Sequence, residues 1–443
     1  MPKLDFPDDF VWGTATASYQ VEGAGHEGGR SECIWDTFSR IPGAVYGGEN
    51  GEIACDQYHR YREDIALMAE LGFKSYRFSI AWPRVIPAGT GKVNPEGIAY
   101  YRALCDELHK NGIKACATIY HWDLPQVLQD KGGWADRSIV EAFTEYAKVC
   151  FAELGKYVDQ WITINEPFCV TYLGYYYGVH APGIRDIDQA IKTVHHVNLA
   201  HGSAVKAYRK TGLTAPIGIT WNPSTPRPAT KNRADKKAAL TARALETEVF
   251  IYPVLGKGYP DIVTRDLGLT LPVKPGDLET IAQPIDFIGV NYYNESPVAF
   301  DKKAPFKYSS KPSWQETSEM GWPTVPQGLA RQLRWIQEVS GGIPMYITEN
   351  GYARNDEVDA EGRVHDRERI HYVRKHLEVC RDLIKEGINL KGYYAWSFAD
   401  NFEWAYGYTK RFGIVYVDYT TQKRYPKDSA YFFRDVIAGY GEW

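Results

Sequence analysis

Gln160-Trp161-Ile162-Thr163-Ile164-Asn165-Glu166-Pro167 is an apolar, β-branched run that ends on an amide, a carboxylate and a proline. Residues of this kind form buried strands, and a proline directly after Glu166 turns the chain out of the core. The carboxylate is therefore placed at a strand end, where a side chain can do chemistry instead of packing. Tyr346-Ile347-Thr348-Glu349-Asn350-Gly351 repeats the pattern, with Asn-Gly as its turn signal. The fold has to accommodate two strands that each end on a glutamate.

Outward from these strands, short β-branched or aromatic runs alternate with amphipathic helical stretches along the whole chain, as in repeated βα units on a parallel sheet. Strands are expected at 10–15, 75–80, 114–120, 160–165, 217–222, 287–292, 345–349 and 392–396. Helices are expected near 56–71, 95–111, 136–154, 186–210, 235–250, 325–340, 362–387 and 427–438. Gly72, Gly112, Gly212 and Gly387 stand where a left-handed residue would end a helix before the next strand. The expected fold is α/β, a single (β/α)8 TIM barrel over residues 1–443, with its site at the C-terminal ends of the strands. The Lys-, Ser-, Pro- and Glu-rich stretch 295–324 reads as a long loop after the sixth strand and not as a domain boundary.

With 51 basic and 55 acidic side chains the formal net charge is −4, which gives no electrostatic footing for nucleic acid or an acidic membrane surface. Cysteines 33, 55, 105, 116, 150, 169 and 380 are odd in number, widely spaced and free of C-x-x-C. Neither a disulfide framework nor a zinc ribbon is indicated, and a reducing cytoplasm fits best. The start, Met1-Pro2-Lys3-Leu4-Asp5-Phe6-Pro7-Asp8-Asp9, has no apolar leader segment, and no membrane-length apolar run occurs, so a soluble, unexported protein is expected.

His195, His196 and His201 lack the spacing that puts two ligands on one helical face, and no metal is expected. No Gly-x-Gly leads from a strand into a helix, so no dinucleotide cofactor is expected either. Asp356, Glu357, Asp359, Glu361, Asp366 and Glu368 read as a solvated loop and helix start. The 13 Trp and 32 Tyr stand out beside 4 Met, and flat rings with polar tips suit the C–H faces and hydroxyls of sugars.

The strand ends are polar although the strands are not. The first leads to Ser18, Tyr19, Gln20 and Glu22, the second carries Arg77, and the third ends at His121-Trp122-Asp123. The fourth gives Asn165 and Glu166, the sixth Asn291 and Tyr293, the seventh Glu349, and the eighth runs from Trp396 to Glu403 and Trp404. Arg77 and Tyr293, a cation and a hydroxyl donor, would hold Glu349 ionised as a nucleophile. Glu166, between Asn165 and Pro167, would keep a higher pKa and donate a proton to a leaving oxygen.

One carboxyl on the leaving oxygen and one at the sugar carbon is the equipment that glycoside cleavage needs. Asn165 can reach a sugar 2-hydroxyl, Gln20, His121, Glu403 and Trp404 the remaining hydroxyls, and Trp396 can floor the ring. A sugar-binding barrel without turnover and an inverting hydrolase are the alternatives. The first would be expected to have lost one glutamate. The second needs carboxyls about 6.5–9.5 Å apart, against about 5–5.5 Å for retention.

Seven segments in order carry a resemblance: Phe10-Val11-Trp12-Gly13-Thr14-Ala15-Thr16-Ala17-Ser18-Tyr19-Gln20, Tyr76-Arg77-Phe78-Ser79, His121-Trp122-Asp123-Leu124-Pro125, Thr163-Ile164-Asn165-Glu166-Pro167, Asn291-Tyr292-Tyr293, Ile347-Thr348-Glu349-Asn350-Gly351 and Asp400-Asn401-Phe402-Glu403-Trp404. Over essentially its full length the chain resembles glycoside hydrolase family 1, the retaining β-glucosidase type. The resemblance implies a (β/α)8 barrel with Glu166 as acid/base and Glu349 as nucleophile, the latter supported by Arg77, Tyr293 and Asn291.

It further implies a glycone subsite of Gln20, His121, Trp122, Asn165, Trp396, Glu403 and Trp404, and a cis peptide at Trp396-Ser397. On the aglycone side it places Phe168, Leu173, Trp322 and Phe412. The implied substrates are small β-glycosides and oligosaccharides, terminal β-glucosyl first and galactosyl or fucosyl after it, with no cofactor. Two departures bear on substrate. Phe168 stands where many relatives have Trp, and Glu403 with Phe412 replaces the small residue and Tyr of 6-phosphoglycosidases, while Lys410 is common to both groups. Neutral glycosides are expected, with 6-phosphoglycosides as the alternative. Phe398 and Ala399 in the eighth-strand motif are an expected neutral packing change.

Overall fold

Strands covered on both faces read as unbroken apolar runs. In the computed structural model, which describes residues 4–440, the eight such runs close into a parallel barrel. The first three residues of the N-terminal stretch read above lie outside the described residues. The strands are β1 (Val11–Ala15), β2 (Ser75–Ser79), β3 (Lys114–Tyr120), β4 (Gln160–Asn165), β5 (Ile217–Trp221), β6 (Phe287–Asn291), β7 (Met345–Asn350) and β8 (Leu390–Trp396). Each pairs with its chain neighbours, and β8 closes on β1 with Val11 opposite Gly392 and Ala15 opposite Trp396. Every expected strand is present, with ends moved by at most two residues.

The helices α1 (Gln57–Glu70), α2 (Pro95–Lys110), α3 (Ile139–Leu154), α4 (Ile187–Arg209), α5 (Arg233–Arg243), α6 (Pro326–Ser340), α7 (Arg367–Lys385) and α8 (Asp428–Ile437) follow the strands in turn. Gly72, Gly112, Gly212 and Gly387 take the expected left-handed backbone, with φ of 84°, 70°, 75° and 92°. Inside the barrel, a Cβ on Gly289 would lie 2.1 Å from Thr220 Oγ1, so only glycine lets β5, β6 and β7 converge there. Register irregularities fall between Ile162 and Asn165 on β4 and between Val290 and Asn291 on β6, where the strands deliver their polar ends.

Three features differ from the sequence reading. The expected helix 235–250 is interrupted: α5 stops at Arg243, a π turn spans Ala244–Glu248, and a short helix follows at Val249–Val254. The loop 295–324 contains a small antiparallel hairpin, Val298–Phe300 with Tyr308–Ser310. The acidic stretch is not uniformly solvated. Asp356 and Asp366 are buried at 3% and 0% exposure, although Glu357, Glu361 and Glu368 are exposed.

Arg369, from the same stretch, and Lys427, from a distant segment, explain that burial. Lys427 Nζ lies 2.5 Å from Asp356 Oδ2 and 2.7 Å from Asp400 Oδ1, while Arg369 bonds both Asp356 and Asp366. This network ties α7 and α8 to the segment after β8. The three histidines of α4 are likewise structural: His195 meets Tyr259 and Asp277, His196 the Trp134 carbonyl, and His201 the Thr163 hydroxyl under β4. All seven cysteines are buried free thiols. Among the described residues no helix is long and apolar enough to cross a membrane.

Candidate active site

At the C-terminal ends of the strands lies a cavity of about 500 Å³ whose lining includes Glu166 and Glu349. Glu349 is 3% exposed. Its Oε1 accepts from Arg77 Nη1 at 2.5 Å and its Oε2 from the Tyr293 hydroxyl at 2.6 Å. Arg77 is fully buried and held by Thr118 Oγ1, the Thr348 carbonyl and Asn165 Oδ1. The cation thus has one position, aimed at the carboxylate.

Glu166 follows β4 on left-handed backbone, φ 48°, and Trp122 and Trp404 share that conformation at φ 77° and 50°. Non-glycine residues seldom take it, and such strain concentrates at functional sites. Glu166 Oε1 accepts from Asn291 Nδ2 at 2.6 Å, and Oε2 from the Cys169 thiol at 3.0 Å. Asn291 was expected to support Glu349. Its short bond goes to Glu166 instead, because Thr348 Oγ1 donates to Asn291 Oδ1 at 2.7 Å and turns the amide nitrogen that way. Asn291 also acts on Glu349 in the expected direction, lowering that carboxyl, but less than Arg77 and Tyr293 do.

Burial raises both carboxyls above their ordinary range, for different net results. At Glu166 burial and the Glu349 charge act together, outweighing the pull of Cys169, Asn291 and Arg77, and push the group up to about 7. At Glu349 burial is again the largest influence, but Arg77 and Tyr293 oppose it directly. The sequence reading named those two partners and missed the larger effect of burial. Glu349 remains the more acidic of the pair, since it holds the adjacent cation. Glu403 is pushed up to about 8 by burial and by the charges of both glutamates.

The remaining expected residues divide between the lining and the layer behind it. His121, Trp122, Phe168, Leu173, Asn291, Tyr293, Trp322, Trp396, Glu403, Trp404 and Phe412 line the cavity, whereas Gln20, Arg77 and Asn165 lie fully buried behind it. Asn165 Oδ1 accepts from Arg77 and Asn291, so its Nδ2 donates to His121 Nε2 at 3.1 Å. That bond makes Nε2 an acceptor and puts the proton of the neutral imidazole on Nδ1. His121 Nδ1 and Gln20 Oε1 are buried without a protein partner, as groups awaiting a ligand would be. Gln20 itself is fixed by its Nε2 bonds to Asn401 Oδ1 and the Phe402 carbonyl.

Aromatic rings complete the walls. Trp122 and Trp404 lie 4.6 Å apart, and Trp322 sits 5.4 Å from Tyr293 and 6.0 Å from Phe412. Trp396-Ser397 is a cis peptide, as the resemblance implied. Lys410 Nζ is taken up by the Glu319 carbonyl at 2.7 Å. The sequence reading missed Cys169, His180, Asn222, Ser224, Glu246 and Met320, which also line the cavity. Cys169, one helical turn past Glu166, is the one of these whose spacing could have flagged it.

A family model, Glycosyl hydrolase family 1, matches residues 3–442. The chain belongs to this family. Similar proteins include Beta-glucosidase A of Acetivibrio thermocellus, 45% identical with all of both chains covered. The bifunctional beta-D-glucosidase/beta-D-fucosidase of Bifidobacterium breve is 40% identical over 98% of each chain. The solved family-1 β-glucosidase of Thermotoga maritima superposes with a TM-score of 0.97, 45% identity and full coverage of both chains. The chain is a glycoside hydrolase, and its barrel is the family-1 barrel.

Proposed function

We infer that this chain is a retaining, exo-acting β-glucosidase that removes terminal β-glucosyl residues by double displacement, with Glu349 as nucleophile and Glu166 as acid/base. The observation that carries this reading is the unequal environment of two carboxyls in one cavity. Arg77 and Tyr293 touch Glu349, whereas Glu166 has only an amide and a thiol. The first is suited to attack the anomeric carbon as a carboxylate, the second to deliver a proton to the leaving oxygen.

Their coupling also suits the second step. Glu349 loses its charge when it becomes the ester of the glycosyl-enzyme, and Glu166 then loses the charge that raised it. Its pKa falls, and the same group that acted as an acid becomes a carboxylate able to deprotonate the incoming water. His121 Nδ1, Gln20 Oε1, Asn165 and Glu403 supply hydroxyl contacts for the glycone over Trp396 and Trp404. Trp122 backs them with its indole donated to the Asn165 carbonyl at 2.9 Å. Phe168, Leu173, Trp322 and Phe412 face the aglycone. The whole chain acts as one catalytic domain on small glycosides, in the cytoplasm, where cellobiose and related oligosaccharides are its substrates.

The test is nitrophenol release from p-nitrophenyl-β-glucoside by the wild type, Glu166→Ala and Glu349→Ala, with azide added back. Expected are wild-type turnover, loss in both variants, and rescue giving β-glycosyl azide for Glu166→Ala and α-glycosyl azide for Glu349→Ala. Absence of wild-type turnover on this and related β-glycosides would favour a sugar-binding barrel instead.

A further inference from the structure

The outer wall of the cavity holds a carboxylate that the reaction itself does not use. Glu246 lies on the π turn Ala244–Glu248 and lines the cavity with Asn222, Pro223 and Ser224. Its placement is fixed from both sides. The neighbouring Thr247 hydroxyl accepts from Ser224 N at 2.6 Å and donates to the Ser224 carbonyl at 2.9 Å. From the hairpin after β6, the Tyr308 hydroxyl donates to Glu246 Oε1 at 2.9 Å.

The groups acting on Glu246 are burial and the hydroxyls of Tyr308 and Ser224, with no cation among them. Glu246 is partly buried in the cavity wall, and no cation offsets the cost of that partial desolvation. It can accept about four hydrogen bonds, so two hydroxyl donors leave capacity for a ligand in the cavity.

The direction of the leaving group follows from the acid. Glu166 protonates the leaving oxygen, so the aglycone lies beside it. Cys169 touches Glu166 Oε2, Asn222 Nδ2 reaches Cys169 Sγ at 3.5 Å, and Ser224 and Glu246 continue the same wall outward. Trp322 offers a face that suits a sugar or an aryl ring equally. A carboxylate distinguishes them, because it rewards only an aglycone that brings hydroxyl donors.

We propose that Glu246, held by Tyr308 and joined by Ser224, binds the hydroxyls of a second sugar, so that the enzyme favours β-linked disaccharides over apolar aryl or alkyl glucosides. This rests on the β-glucosidase reading of the cavity. The test is kcat/KM on cellobiose and on p-nitrophenyl-β-glucoside for wild type, Glu246→Gln, Glu246→Ala and Tyr308→Phe, expressed as the ratio of the two substrates. In Glu246→Gln the ratio falls about tenfold, the worth of one hydrogen bond to a charged group, with the rise in KM for cellobiose as the main effect. It falls further in Glu246→Ala and less in Tyr308→Phe.

The aryl substrate normalises for folded enzyme in each variant, and if Glu246→Ala does not fold, Glu246→Gln decides. An unchanged or increased ratio in Glu246→Gln overturns the proposal, as does a wild type that cleaves the aryl glucoside and not cellobiose. A wild type that cleaves neither overturns the β-glucosidase reading itself.

Discussion

Tyr293→Phe isolates the electrostatics of Glu349, the proposed nucleophile, because it removes one donor and keeps the ring. The hydroxyl donates to Glu349 Oε2 at 2.6 Å, while the ring stays 5.4 Å from Trp322 and 5.8 Å from Phe412. Glu349 is buried, and its pKa already lies above the ordinary carboxylate range. Losing a donor to a buried charge costs about 2–4 kcal/mol. That corresponds to a fall of about thirtyfold to a thousandfold in kcat/KM at neutral pH.

The pH dependence separates charge from packing. The Tyr293 bond favours the ionised carboxylate, so without it the pKa of Glu349 rises further and the acid limb of kcat/KM moves to higher pH. The basic limb reports Glu166, near 7. It faces the same ionised Glu349 in both enzymes and stays in place, so the bell narrows from its acid side. Stability follows the same sign. A folded pKa above the unfolded value, about 4.3, means that the stabilising contribution is fully present below that pH and is lost as pH rises through the folded pKa. The variant's deficit in melting temperature is therefore greatest at neutral pH and shrinks toward pH 4. pH–rate profiles with an aryl glucoside and melting curves at both pH values provide the check. A uniform drop at all pH values with an unmoved acid limb would show that the hydroxyl acts through packing alone.

Cys169→Ala removes the thiol donor from Glu166 Oε2, which raises the acid's pKa and moves the basic limb of kcat/KM upward by less than about one pH unit; a limb that stays put would leave the thiol as a space-filler. Trp322→Ala should weaken binding of oligosaccharides more than hydrolysis of small aryl glucosides, and equal losses on both would remove Trp322 from the aglycone wall. Lys427→Met removes one cation from each of the buried Asp356 and Asp400, which keep Arg369 and Arg411 respectively, and should cost about 2–3 kcal/mol in chemical denaturation; a loss below about 1 kcal/mol would contradict the network. Glu403 and Phe412 predict better turnover of a β-glucoside than of its 6-phosphate in a direct comparison, and the reverse order would reassign the glycone pocket.

The barrel was legible because its strands are buried on both faces, which leaves continuous β-branched runs such as Ile217–Trp221 that no surface strand would need. Its helices were legible from their amphipathic stretches, four of them also from the glycines that end them, Gly72, Gly112, Gly212 and Gly387. The interruption at Ala244–Glu248 was not, because a π turn adds one residue within a sequence that is itself helix-forming, and Ala-Leu-Glu-Thr-Glu contains no breaker. The buried state of Asp356 and Asp366 was equally hidden. Their local sequence is that of a solvated loop in which nothing singles out Arg369, the cation that pairs with both, from the exposed arginines around it, and Lys427, the second cation on Asp356, stands far along the chain.

The same division runs through the site. Glu166, Glu349, Arg77, Asn165 and Asn291 lie on β strands or one residue beyond them, where the alternation of a strand and the closure of the barrel dictate direction. Residue type and position were enough to find them. Cys169 and Glu246 sit on π turns and Tyr308 on a hairpin inside a long loop. Cys169 and Glu246 line the cavity from these turns, and Tyr308 acts there through the Glu246 carboxylate to which it donates. Glu166, Glu349, Arg77, Asn165 and Asn291 thus sit on the rigid barrel or at its rim, while the wall proposed to meet the leaving group is built on the segments between strands and helices. Substitutions at Glu246 or Tyr308 can therefore change which aglycone is accepted without moving Glu166 or Glu349, since the bonds that fix those two glutamates involve neither residue.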